Sequence, residues 1–246
     1  MNMESPLKKI ALVTGANKGI GFEVARQLAA SSCIVLLGAR NRALGEEAAA
    51  TLKREGGDVR YLSLDLDDPA SIATAARDIN AEFGRLDVLV NNAGIAAPGD
   101  GMPSNVSLDA IERDFRVNFL GTVAVTQAML PLLRKAASAS IVNVSSGLGS
   151  LTKSSDPAWT HVAAKYLGYA ASKAALNMLT VQLAYELRGT SIKVNSADPG
   201  YTATDLNQHR GTQSIPEGSA ETIRLALLPE DGPTGTFSNA QGIVPW

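Results

Sequence analysis

The chain has 246 residues, with 22 Lys+Arg against 24 Asp+Glu and a formal net charge of −2. At 45% hydrophobic and 19% charged it is not an intrinsically disordered chain, and its length suits one large domain or two small ones. A slightly acidic protein lacks the basic charge that holds nucleic acid through counterion release, so no nucleic-acid partner is expected.

The first apolar run, 10–13, is too short for a signal-peptide core or a membrane span. The sequence therefore predicts a cytoplasmic protein with no membrane partner. The run reads instead as a strand. A glycine-rich turn follows, then a helix over 21–30. Strands at 34–37, 59–64, 86–90, 141–144 and 192–194 alternate with helices at 43–55, 71–83, 109–135, 170–187 and 219–228. A short seventh strand is expected near 236–238. The strand runs are continuously apolar and β-branched, as in a parallel sheet buried on both faces. Strands alternating with helices predict an α/β fold, a doubly wound parallel sheet with helices on both faces. No linker or repeat divides the chain, so 1–246 reads as a single domain. The stretches 147–168 and 205–218 are left as loops. In such a sheet ligands bind beyond the carboxyl ends of the strands, where the polar motifs fall.

The first strand ends in Thr14-Gly15-Ala16-Asn17-Lys18-Gly19-Ile20-Gly21. Gly15 permits a tight turn, Gly19 leaves room for a pyrophosphate, and Gly21 lets the helix pack closely. The helix N-terminus then offers free N–H groups and a positive dipole end to phosphate. Asn91-Asn92-Ala93-Gly94 follows the fourth strand, Tyr169-Ala170-Ala171-Ser172-Lys173 opens a helix, and Pro199-Gly200 follows the sixth strand. In order and spacing these four motifs resemble the T-G-x-x-x-G-x-G, N-N-A-G, Y-x-x-x-K and P-G motifs of the short-chain dehydrogenase/reductase family. The resemblance implies a Rossmann-like fold and a nicotinamide cofactor.

Strand two ends in Leu37-Gly38-Ala39-Arg40, where an NAD-preferring site usually carries an acid for the ribose 2′-hydroxyl. A guanidinium there pairs with a 2′-phosphate instead, and Lys18 adds a second cation. Basic residues at these positions resemble the NADP-preferring subgroup, so NADP(H) is expected, with Arg42 as an accessory cation. By the resemblance, Gly15, Asn17, Lys18, Gly19, Ile20 and Gly21 form the phosphate turn. Asp65 and Leu66 line the adenine, and Asn91, Ala93 and Gly94 border the ribose. Pro199, Gly200, Thr202 and Thr204 reach toward the nicotinamide end.

Tyr169 and Lys173 are spaced i, i+4 and share a helix face. A phenol is a poor acid near neutral pH, and a neighbouring ammonium lowers its pKa and fits it for proton transfer. Tyr166 has no such lysine. Ser145 and Ser146 end the fifth strand, and alternation sends them to opposite faces, so one of them serves the substrate oxygen. The family's V-N-x-S-S pattern uses Ser146. Asn118, in Val117-Asn118-Phe119, matches the family asparagine that holds a water beside the lysine. The resemblance thus implies a Ser146, Tyr169, Lys173 and Asn118 tetrad that reduces a carbonyl with NADPH.

An insertion within 147–168 precedes the catalytic tyrosine, as in the carbonyl reductase branch, and favours a monomer or dimer over a tetramer. Ile95, Leu148, Trp159, Tyr201 and Leu206 are expected to line the substrate site, which fits a small apolar carbonyl compound. Two other readings stand beside this one. A 3-oxoacyl carrier-protein reductase needs a basic docking patch, and 201–218 offers only Arg210. A non-catalytic NADP(H)-sensing protein commonly loses part of the tetrad, which is intact here. Cys33 reads as core, and His161 and His209 as loop or surface residues. With one cysteine and two histidines no disulfide or metal site is expected.

Overall fold

The computed structural model describes residues 8–246. Residues 1–7, the start of the expected single domain, lie outside that description. Among the described residues eight strands form one sheet in the order β3-β2-β1-β4-β5-β6-β7-β8. They are β1 (Ile10–Thr14), β2 (Ile34–Ala39), β3 (Val59–Ser63), β4 (Val88–Asn91), β5 (Ala139–Val144), β6 (Ile192–Ala197), β7 (Phe237–Asn239) and β8 (Gly242–Ile243). All pairs are parallel except β7 with β8. The antiparallel β8 was not expected. It is two residues long and exposed, too short to leave a period in the sequence.

The helices are α1 (Gly19–Ala30), α2 (Arg42–Arg54), α3 (Pro69–Phe83), α4 (Leu108–Phe115), α5 (Thr122–Leu133), α6 (Leu151–Ser155), α7 (Leu167–Glu186) and α8 (Ile215–Ala226). Strand alternation divides the core into two faces. Ala11, Val13, Val35, Leu37, Val88, Val90 and Val142 pack under α1, α2 and α8. Ile10, Leu12, Leu36, Leu89, Ile141 and Val194 pack under α3, α5 and α7.

The single helix expected over 109–135 is α4 and α5 joined by a π-helical turn, Arg116–Gly121. The wide turn leaves helical periodicity almost intact, so an apolar pattern does not reveal it; such turns recur at functional sites. Helix α7 begins three residues before the expected start, so Tyr169 lies inside its first turn. The two stretches left as loops are partly ordered. Residues 147–168 hold a 3-10 turn, Gly147–Gly149, and α6; 205–218 holds a 3-10 turn, Asp205–Asn207, and the start of α8.

Candidate active site

The chain winds outward from β1 through β2 to β3, then returns to place β4 on β1's other edge. That reversal opens a crevice between the carboxyl ends of β1 and β4. Thr14 Oγ1 accepts the amides of Asn92 and Ala93 at 3.0 and 2.9 Å, tying the two ends together. Gly15 has φ +62°, and a Cβ on it would lie 2.9 Å from Ala93 Cα, so the turn excludes any other residue. No side chain caps α1, which leaves its first amides facing the crevice.

Lys18 is exposed and its ammonium meets Asp205 at 2.6 Å; the same carboxylate takes His209 Nε2 at 2.8 Å. This latch joins the glycine turn to the 203–213 loop, and Lys18 holds Asp205 below the usual carboxylate range. Arg40 is exposed just past β2, with no ion pair among the described residues. Arg42 pairs with Glu46 on its own helix at 2.8 Å and is exposed. Asp65 accepts the Asp67 amide, and the Leu66 carbonyl packs against Gly121. Ile20, Pro199, Gly200, Thr202 and Thr204 line the cavity described below, although Thr202 already donates its hydroxyl to the Pro199 carbonyl.

The Asn91 side chain turns inward, donating to Thr126 Oγ1 at 3.0 Å and Asn143 Oδ1 at 2.8 Å, and it is buried. As the last residue of β4 it follows the strand's alternation into the core, which leaves only its backbone near the crevice.

Ser146 and Tyr169 both line the cavity, and the Ser146 hydroxyl favours the ionised form of the Tyr169 phenol. Ser145 faces the other way, buried, with its hydroxyl 3.4 Å from the Lys173 carbonyl. Burial pushes the Tyr169 phenol up to about 12, opposed by the Ser146 hydroxyl, while Asp198 and Asp114 raise it further. The Lys173 ammonium lies 5.7 Å from the Tyr169 ring centroid and donates to the Val144 carbonyl at 2.8 Å. Burial lowers it to about 8, opposed by Asp114.

Asn118 is buried in the π-helical turn. It donates to the Ile95 carbonyl and Ser172 Oγ at 2.9 and 3.0 Å and accepts the Ile95 amide at 2.8 Å. A Cβ on Gly94 would stand 3.3 Å from both Asn118 Oδ1 and Lys173 Nζ, so glycine keeps the space between them open.

The cavity is about 760 Å³. Leu148, Trp159, Tyr201 and Leu206 line it as expected; Ile95 does not. Asn118 bonds both the amide and the carbonyl of Ile95, which sets that residue's direction. His161, an exposed loop residue as expected, also lies between Trp159 and Tyr201 with ring centroids 5.6 and 5.7 Å away, completing an aromatic wall. Lys153 also lines the cavity, 3.9 Å from Asp198. Nothing in the sequence around His161 or Lys153 marks them, because the fold of the insertion places them. Asp100 and Asp114 were missed as well, though Asp114 stands four residues before Asn118 and so shares its helix face.

A family model described as short chain dehydrogenase matches residues 9–214. The chain belongs to the short-chain dehydrogenase/reductase family. It is 34% identical to (-)-isopiperitenone reductase of Mentha piperita, covering 94% of this chain and 96% of that protein. It is also 34% identical to Carbonyl reductase [NADPH] 1 of Mus musculus, covering 98% of this chain and 100% of that protein. The crystal structure of NADPH-bound carbonyl reductase from chicken fatty liver matches with a TM-score of 0.83 and 30% identity, over 98% of this chain and 99% of that one. The fold is thus a Rossmann-like single domain, and the chain is an oxidoreductase of a family that uses nicotinamide cofactors. No helix among the described residues is long and apolar enough to cross a membrane.

Proposed function

We propose that this short-chain dehydrogenase/reductase is an NADPH-dependent reductase that converts small, largely apolar ketones and aldehydes to alcohols. The observation that carries the reading is that Ser146 and Tyr169 line one aromatic-walled cavity, with the Lys173 ammonium 5.7 Å from the Tyr169 ring centroid. The relatives support it, since they bear the names of carbonyl, isopiperitenone and salutaridine reductases.

The crevice fits a dinucleotide. The φ +62° turn at Gly15 and the uncapped start of α1 suit a pyrophosphate, and Arg40, without an ion pair among the described residues, suits a 2′-phosphate together with Lys18. Asn17, Gly19 and Gly21 complete the turn, while Asp65, Leu66, Ala93 and Gly94 flank the adenosine half. When bound, the cofactor supplies the hydride that adds to the carbonyl carbon.

Ser146 holds the carbonyl oxygen and stabilises the charge that develops on it. Tyr169 gives that oxygen its proton. With a phenol pKa of about 12 it is fully protonated near neutrality, the state a donor needs. At that pH Lys173 still carries its charge, which favours the phenolate left behind. The open space at Gly94, bordered by Asn118 Oδ1 and Lys173 Nζ, is the route by which the proton is restored from solvent.

Initial rates with NADPH and NADH against a panel of aldehydes and ketones test the reading, with Tyr169→Phe as control. Turnover with NADPH, much slower turnover with NADH and loss in the variant are expected. Equal use of NADH would remove the cofactor preference. Full activity in Tyr169→Phe would remove the tetrad. Binding of NADPH without turnover of any carbonyl would return the sensing protein to first place.

A further inference from the structure

A buried acid stands behind the tetrad. Asp114, in the last turn of α4, is 0% exposed. Its Oδ1 accepts the Ala97 amide at 2.9 Å, and its Oδ2 is buried with no hydrogen-bond partner among the described residues. It faces Gly168 at the start of α7, where a Cβ would lie 2.8 Å from Asp114 Oδ2 and 3.5 Å from Asp100 Cγ. Asp100 accepts two of the free amides that open α7: Oδ1 takes Gly168 and Oδ2 takes Tyr169, both at 2.9 Å. The residue at the N-cap position is Tyr166, whose side chain does not cap, so Asp100 performs that office from a loop more than sixty residues earlier.

We propose that Asp100 and Asp114 are a positioning unit for Tyr169, in which Asp100 clamps the first turn of α7 while Asp114 anchors Asp100 and sets the charge behind Tyr169 and Lys173. The inference rests on Tyr169 being the proton donor. The titratable groups facing Asp114 are Asp100 from the loop and Tyr169 and Lys173 from α7. When protonated, Asp114 gives its orphaned oxygen a partner by donating to Asp100. Burial raises its carboxyl to about 6; the Ala97 amide pulls against that shift, and Asp100 adds to it. Above that pH Asp114 carries a negative charge that raises both Tyr169 and Lys173. The field at the proton donor is therefore set by a residue that touches neither substrate nor cofactor.

Asp114→Asn is the decisive variant. An asparagine can still accept the Ala97 amide and can donate permanently to Asp100, so packing is kept while the charge is removed. The measurement is kcat and kcat/KM for NADPH-dependent reduction from pH 5 to 10, alongside NADPH affinity and melting temperature. The wild-type profile should show an inflection near pH 6 that the variant lacks, and the variant's alkaline limb should fall at a pH lower by about half a unit or more. Asp100→Asn should lower kcat by roughly 10-fold or more with KM for NADPH unchanged, since it loosens the turn that aims Tyr169. Superimposable pH profiles for wild type and Asp114→Asn, in an enzyme that Tyr169→Phe inactivates, would overturn the proposal. Full turnover in Tyr169→Phe would overturn instead the tetrad reading on which it rests.

Discussion

The two cations expected to select NADPH are not equivalent, and their surroundings rank them. Arg40 has no ion pair among the described residues, whereas Lys18 already meets Asp205 at 2.6 Å. A 2′-phosphate reaching Arg40 gains a charge-assisted, bidentate contact outright. Reaching Lys18, it must displace Asp205, so the gain is the difference between two similar ion pairs. A hydrogen bond to a charged group contributes about 1.5–3 kcal/mol, which corresponds to roughly 10- to 100-fold in an equilibrium. Arg40→Ala should lower kcat/KM for NADPH by that factor and leave NADH, which has no 2′-phosphate, nearly unchanged. Lys18→Ala should cost only a few-fold. Asp205→Asn removes the competitor and should strengthen NADPH binding. The assay is kcat/KM for both cofactors at one low, fixed ionic strength, because exposed charges are screened by salt. A larger loss in Lys18→Ala than in Arg40→Ala, or an equal loss for NADPH and NADH in Arg40→Ala, would refute this ranking.

Gly94→Ala fills the gap between Asn118 and Lys173; kcat should fall by about 10- to 100-fold with NADPH affinity retained, and an unchanged kcat would show that no proton passes there. Asp114 gives a stability signature. A carboxyl raised to about 6 by burial stabilises the fold fully below the ordinary carboxylate range, and that contribution is lost as pH rises through 6. Asp114→Asn should therefore melt progressively higher than wild type, by roughly a few degrees, as pH goes from 4 to 7; parallel melting curves across that range would contradict the buried-acid assignment. Trp159→Ala opens the aromatic wall and should raise KM for bulky ketones while leaving small aldehydes little affected, as initial rates on a size-graded panel would show.

The sheet was legible because its strands are buried on both faces and read as unbroken apolar runs, from Ile10 through Val194. Boundaries shifted where capping overrides periodicity: Asp68 caps α3 and starts it at Pro69, before its apolar stripe is evident. The crevice motifs were legible because they lie at strand ends whose positions the alternation fixes. The walls of the cavity were only half legible. Leu148, Trp159, Tyr201 and Leu206 face it by their places after β5 and β6. His161 and Lys153 reach it only because the insertion folds into turns around α6, and no local pattern encodes that path. Asn91 is a motif residue whose side chain follows strand alternation into the core, leaving its backbone at the crevice. Electrostatics were the least legible layer. The i, i+4 spacing put Lys173 beside Tyr169, yet the sequence does not show that Lys173 is buried and Tyr169 half-buried, and desolvation moves the two pKa values apart.

That separation gives the proton path a direction. Lys173 holds a proton with a pKa of about 8, and Tyr169 with one of about 12, so a proton passed from the lysine side to the phenolate runs downhill. In the proposed mechanism, once Tyr169 has protonated an alkoxide its own proton is restored from the Lys173 ammonium, the stronger acid of the two, beside the space at Gly94. Alcohol oxidation needs the same proton to climb from the tyrosine toward Lys173, which becomes easier only as rising pH deprotonates both groups. The oxidation rate should therefore keep rising at pH values where reduction is already falling. Measuring both directions with one alcohol–ketone pair tests this. Coincident pH optima would mean that the proton reaches Tyr169 by a path that bypasses the lysine.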